Sequence, residues 1–293
     1  MFAHEFMRNA LIAGSFVGLA SGLIGYFVVL RAQVFAGDAL SHVAFTGALA
    51  AAVLGFNILA GLFIATILGG IVMGLLGDKA RADDVTIGSL FAWTLGIGVL
   101  FLSIFTSQKS ASNGTAGVHI LFGSIFGLSR SDVTTSGILA ALASALLLAI
   151  ARPLLFASLD REVAGARGVP VRALELGFLA LLGLVAAQAT QAVGALLLLG
   201  LLAAPAGAAH RLTANPYRGL ALSTLLSVGS VWLGLTLSYE FPTLPPSSMI
   251  IAIAVGAYTL ALAATTARDP RTIRRGLAAL SNSLETTNAN NHL

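Results

Sequence analysis

Residues 9–30 read NALIAGSFVGLASGLIGYFVVL, and no charged side chain stands between Arg8 and Arg31. About 20 apolar residues take an α-helix across the hydrocarbon core of a bilayer. In lipid the backbone has no water to bond, so such a run must satisfy its own N–H and C=O groups as a helix. The same pattern recurs between Asp38 and Asp78, Asp84 and Lys109, Asp132 and Arg152, Glu175 and Arg211, Arg218 and Glu240, and Glu240 and Arg268. Two of these gaps, 43–77 and 176–209, are too long for one helix and read as helical hairpins. Gly55-Phe56-Asn57 breaks the first; Gln188, Thr190 and Gln191 form a polar turn ahead of Val193-Gly194 in the second. The expectation is an all-α polytopic bundle of about nine crossings, or eight if one short segment is re-entrant.

Composition agrees. The chain has 293 residues, 57% hydrophobic and 10% charged, with a mean hydropathy of +0.92, whereas soluble domains are about 25% charged. A soluble globular protein is excluded. The absence of cysteine excludes disulfides, thiolate metal sites and a cysteine nucleophile. A formal net charge of +4 carries topology here, with no nucleic-acid partner implied. With the tail bearing Arg268, Arg271, Arg274 and Arg275 in the cytoplasm, nine crossings put the N-terminus outside. Arg31, Lys79, Arg81, Arg152, Arg161, Arg167, Arg172, Arg211 and Arg218 then fall inside, and only Arg8, Lys109 and Arg130 outside. Met1 to Ala10 lacks the features of a cleavable signal peptide. Gly14, Gly18, Gly22 and Gly25 recur at spacings that let helices approach closely.

Three regions hold more than packing. In RAQVFAGDALSHVAFTG, residues 31–47, Asp38 and His42 stand four apart and share one helix face. A carboxylate and an imidazole suit zinc, manganese or iron(II); the alternative is an N-cap aspartate and a satisfied bundle histidine. In FASLDREVAGARGVPVR, residues 156–172, Ser158 or Asp160 can cap a short helix through Ala166, Gly168 can end it in a left-handed turn, and Pro170 stops it. Such a helix fits a groove on a soluble partner; the alternative is a solvated loop. The third region is outside: the small polar loop at 107–117 leads into VHILFGSIFGLSRSD, residues 118–132, read as a surface or re-entrant helix with His119 structural. No P-loop, H-E-x-x-H or G-x-S-x-G is present, and no span carries a row of carboxylates. Energy for uphill transport therefore comes from another polypeptide.

Taken together and in order, GYFVVLRAQVFAGDALSHVAFTG (25–47), DDVTIGSLFAWTLGIGVL (83–100), HILFGSIFGLSRSD (119–132), SLDREVAGARGVPV (158–171) and VGALLLLGLLAAPAGAAHRL (193–212) resemble the permease subunits of bacterial ABC importers for zinc, manganese and iron. The resemblance runs from about Leu11 to Ala264. It implies a dimeric permease of the vitamin-B12-importer type in the bacterial plasma membrane, paired with ABC ATPase subunits and supplied by an extracellular metal-binding lipoprotein or periplasmic binding protein. It implies no enzymatic site and no permanently bound cofactor, the metal being cargo. Asp38 and His42 match the family's G-D-x-L-x-H segment, associated with the metal path. Leu159, Glu162, Ala164, Gly165 and Gly168 match the loop that meets the ATPase, and Asp160 and Arg167 complete that set. Pro205 matches a structural proline. Thr46, where the family often has proline, and Pro246-Ser247-Ser248 depart from the pattern. The implied division is a permease domain over 1–267, containing the coupling loop 156–173, and a cytoplasmic tail over 268–293. The rivals are a secondary metal carrier that needs no ATPase, a siderophore or vitamin importer, and a non-transporting scaffold or intramembrane enzyme.

Overall fold

The computed structural model describes residues 4–80, 84–108, 123, 125–195, 197–241 and 243–268. Among them run ten α-helices: α1 (Glu5–Leu30), α2 (Val34–Leu54), α3 (Ile58–Ala80), α4 (Asp84–Gln108), α5 (Arg130–Leu159), α6 (Arg161–Ala166), α7 (Val171–Val193), α8 (Leu198–Leu212), α9 (Pro216–Glu240) and α10 (Pro246–Arg268). His119, most of the loop after α4, and the tail beyond Arg268 lie outside the described residues.

Helix α1 is the central staff, packed by α5, α7, α8 and α9. Its small residues make that position possible. A Cβ at Gly18 would stand 3.1 Å from Val228 Cα, and one at Gly22 only 2.6 Å from Thr224 Cα. Ser223 Oγ donates to the Gly22 carbonyl at 2.7 Å, tying the two backbones together. Close approach through small residues replaces the hydrophobic driving force that lipid cannot supply. Helix α2 lies on another side of the bundle, against α3, α4, α7 and α8.

Among the described residues eight helices are long and apolar enough to cross a membrane, the lower of the two counts expected from the sequence. The ninth segment, α8, has 15 residues, about 22 Å at 1.5 Å per residue, against about 30 Å of hydrocarbon. The expected break in this hairpin also moves. Helix α7 runs on through Gln188, Thr190 and Gln191, and Gln188 Nε2 donates to the Ser136 carbonyl of α5 at 2.6 Å inside the bundle. The chain breaks at Gly194, φ 98°, and the residues before Leu198 that could have lengthened α8 are spent in that turn. The first hairpin turns where expected: Gly55, φ 76°, closes α2 in the left-handed region, and Asn57 Oδ1 accepts from Ala60 N–H at 3.1 Å to open α3.

Of the apolar stretch before α5, residues 123 and 125–129 are described, and the rest lies outside the described residues. Ile125–Gly127 form a single 3₁₀ turn with Ile125 buried, and Gly123, φ 75°, lies against the backbone of Ala192 to Gly194. Helix α5 then starts on a capping box between Ser129 and Asp132. At this end of the bundle Arg130 Nε meets Glu5 Oε1 at 2.6 Å. At the opposite end α1 hands over to α2 through Arg31 to Gln33, beside the end of α5 and the start of α7.

Candidate metal path and coupling helix

Helix α2 begins at Val34 with Gln33 in the capping position. Asp38 therefore sits in the second turn, and the reading of it as an N-cap is excluded. One turn further on, the His42 ring stands edge-to-face on Phe91 of α4, centroids 4.9 Å apart at 76°. Both side chains are half-buried. Among the described residues neither the Asp38 carboxylate nor either ring nitrogen of His42 has a hydrogen-bond or ion-pair partner. Between them in sequence, Ser41 is fully buried and donates to the Asp38 carbonyl at 2.7 Å. It is turned to the backbone and is no ligand.

No group of three or more His, Cys, Asp or Glu side chains that could hold a metal forms among the described residues. One chain thus offers a carboxylate and an imidazole, half of a four-coordinate shell. Four residues beyond His42, Thr46 Oγ1 donates to the Thr94 carbonyl at 3.0 Å. The residue that departs from the resembling pattern fastens α2 to α4 just beside the pair.

The short helix forms as α6, and its N-cap is Asp160 rather than Ser158: Asp160 Oδ1 accepts from Val163 N–H at 2.9 Å. Ser158 is still inside α5 and donates to the Leu154 carbonyl. Ala164 is fully buried against the bundle, while Glu162, Gly165 and Arg167 are exposed. Gly168, φ 81°, reverses the chain, and Val169 N–H closes on the Ala164 carbonyl at 3.0 Å. Pro170 then caps α7. Leu159, 72% exposed, and Val163, 44% exposed, leave an apolar strip outward beside Glu162. Pro205 lies buried inside α8, where its missing N–H leaves the Leu201 carbonyl without its helical partner.

Sequence reasoning treated Arg31, Arg161 and Glu175 as topology charges only. The structure gathers them. Glu175 Oε2 meets Arg161 Nη2 at 3.0 Å and its Oε1 meets Arg31 Nη2 at 3.6 Å. Burial lowers the pKa of Arg31 and Glu175 pulls it back up; the guanidinium stays a cation. The signal was a single glutamate just inside an apolar helix, which seldom stands there unpaired.

The chain is similar over most of its length to known proteins. The profile of the ABC 3 transport family matches residues 3–265. The chain is 31% identical over 255 residues to the manganese import system permease protein ScaB of Streptococcus gordonii, covering 86% of this chain and 88% of that protein. It is 29% identical over 260 residues to a "probable iron transport system membrane protein" of Haemophilus influenzae, covering 88% and 93%. Among solved structures, PsaBC from Streptococcus pneumoniae in complex with Fab superposes with a TM-score of 0.78 at 26% identity, over 94% of this chain and 96% of that one.

Proposed function

The chain belongs to the ABC 3 transport family, and from that premise we propose that it is the membrane-spanning permease subunit of an ATP-driven importer for a divalent transition metal. Residues 1–267 form the permease domain, with the loop 156–173 as its contact to the ATPase and 268–293 as a cytoplasmic tail. The Arg31 end of the bundle faces the cytoplasm, as the excess of basic residues there requires. One observation carries the metal assignment: a carboxylate and an imidazole without hydrogen-bond or ion-pair partners among the described residues, one turn apart on an otherwise apolar membrane helix. Uncompensated ionisable groups in a membrane helix are costly and are retained for a substrate path. Two copies of the permease, facing each other across α2, would supply two Asp38 and two His42, enough to replace much of an ion's water shell. Binding there must stay weak enough to release the ion inward.

The motor is a separate ABC ATPase. Helix α6 docks on it through Leu159, Asp160, Glu162, Ala164, Gly165, Arg167 and Gly168, with Ala164 anchoring the helix to the bundle and the exposed residues making the contact. Closure of the ATPase pair draws the two α6 helices together and rocks the bundles between outward and inward access. An extracellular metal-binding protein delivers the ion. Manganese is the first metal to test and iron the second, because relatives carry those names; zinc, which the same two ligand types also suit, is the third.

The test is uptake by cells carrying Asp38→Ala/His42→Ala in place of the wild type. Metal accumulation is expected to fall to the level of a deletion strain while the permease and its ATPase still co-purify. Normal uptake by the double variant overturns the assignment. Metal flux into liposomes from the permease alone, without ATP, overturns the motor and favours the secondary carrier.

A further inference from the structure

Helices α5 and α9 both pack along α1 but scarcely touch each other. Between them a groove of about 700 Å³ stays open on the flank of the bundle, with α1 as its floor. Leu23, Ala140 and Leu220 are buried at its bottom, while Leu148, Tyr217 and Leu225 are exposed along its rims. Helix α5 runs beside α1 in the same direction, with Gly137 against Phe16 and Ser158 bonded to Arg31. Helix α9 runs in the opposite one, with Val231 beside Gly14 and Gly219 beside Tyr26. Leu148 and Tyr217 therefore lie at the Arg31 end of the groove, and Ala140 and Leu225 lie deeper. From Ala140 to Leu148 the helix rises about 12 Å, against about 15 Å for the hydrocarbon of one leaflet. The groove is apolar and has the depth of a leaflet.

Its mouth is cationic. Arg152 follows Leu148 by one turn on the same face of α5 and is exposed, and Arg218 stands next to Tyr217 at the exposed start of α9. Arg152 is about 33 Å along α5 from Arg130, close to the roughly 30 Å thickness of the hydrocarbon, which puts it at headgroup level. Other arginines at this end are engaged: Arg31 and Arg161 share Glu175, and Arg211 lies over the Tyr258 ring. Among the described residues neither the Arg152 nor the Arg218 side chain has a partner. Two uncommitted guanidiniums at the mouth of an apolar groove complement a phosphate joined to an acyl chain. A free phosphate would leave the groove unmatched, and a neutral lipid would leave the arginines so.

We propose that the groove between α5 and α9 binds an anionic phospholipid of the leaflet at the Arg31 end, with an acyl chain lying against α1 and the phosphate between Arg152 and Arg218. Basic pockets between membrane helices on the cytoplasmic side hold anionic headgroups in this way. The inference goes beyond the import reading and holds whatever the chain carries. A lipid seated there joins two helices that do not hold each other, so its occupancy stabilises the bundle by mass action.

The experiment strips the full-length protein of native lipid in detergent and titrates it with dioleoylphosphatidylglycerol or dioleoylphosphatidylcholine, counting bound lipid by native mass spectrometry. Wild type is compared with Arg152→Gln/Arg218→Gln, Arg152→Lys/Arg218→Lys and Ala141→Trp. Wild type is expected to bind its first phosphatidylglycerol at least about tenfold more tightly than phosphatidylcholine, the scale of two basic residues at an anionic surface. The glutamine pair should lose that preference and the lysine pair keep most of it, since lysine retains the charge. Both positions are exposed and unpaired, so the fold does not depend on them. Ala141 is exposed and lines the groove; a tryptophan there fills it and should weaken binding of both lipids with the arginines intact. Phosphatidylglycerol should also raise the thermal midpoint of wild type and leave that of the glutamine pair unmoved. Equal binding of the two lipids by wild type, or an undiminished preference in the glutamine pair, overturns the headgroup site. Normal binding by Ala141→Trp overturns the groove as the seat of the chain. Cross-linking of Leu148→Cys between two copies in native membranes would put protein in the groove and overturn the proposal as well.

Discussion

Thr46 shows how much one hydroxyl does at the edge of the metal pair. Its Oγ1 spans to the Thr94 carbonyl at 3.0 Å, where the resembling pattern often has a proline. A proline there would leave α4 without this tie and would remove one bond of α2 itself. Hydrogen bonds between membrane helices are worth about 0.6 kcal/mol on average. Thr46→Val keeps the shape and removes the bond, so thermal unfolding in detergent should shift only slightly, while the apparent affinity for metal in uptake assays should weaken because α4 no longer fixes the His42 turn. Unchanged affinity would show that the pair does not depend on the α2–α4 register. At this scale the sequence was partly legible. Asp38 and His42 stood out because ionisable groups are rare in apolar spans; the Arg31–Glu175–Arg161 cluster did not, since its three charges come from separate segments and only folding brings them together.

At the scale of elements, α6 depends on two local devices, the Asp160 cap and the Gly168 reversal. Replacing an aspartate cap by alanine costs about 1 kcal/mol of helix stability, a large fraction for a helix of six residues. A side chain at φ 81° costs roughly another 1–2 kcal/mol. Gly168→Pro is harsher, because proline cannot reach that φ at all. We expect Asp160→Ala to reduce metal-stimulated ATP hydrolysis partly, and Gly168→Pro and Glu162→Arg to abolish transport while ATPase activity of the partner persists. Transport at the wild-type rate in the last two would place the motor contact elsewhere. These devices were readable because a cap, a glycine and a proline act within a few residues of chain. The break at Gly194 was not. Gln188, Thr190 and Gln191 are polar enough to suggest a turn, yet a carbonyl on α5 accepts from the Gln188 amide within the helix; that acceptor lies on a neighbouring helix, distant in sequence.

For the whole molecule, the bundle has two unlike sides. The α1–α9 interface is a close-packed seam of small residues, whereas α4 is the least buried of the candidate spans, with 6% of its apolar window buried inside the chain, and Trp93 on it is 72% exposed. Helix α2 presents Phe35, Asp38 and His42 at spacings of three and four beside α4. A two-fold axis through this side would make each copy complete the other's half-shell, since an isologous contact places the same residues on both sides. The absence of cysteine makes this directly measurable. Phe35→Cys, partly exposed next to the pair, should cross-link to its counterpart with a short thiol reagent in native membranes, and added Mn²⁺ should change the yield if the ion bridges the two copies. Leu148→Cys, on the α5 flank that faces away from α2, should not cross-link. Efficient coupling at Leu148 with none at Phe35 would put the partner on the opposite side of α1. The metal pair would then be left as two isolated ligands, too few to strip an ion of its water.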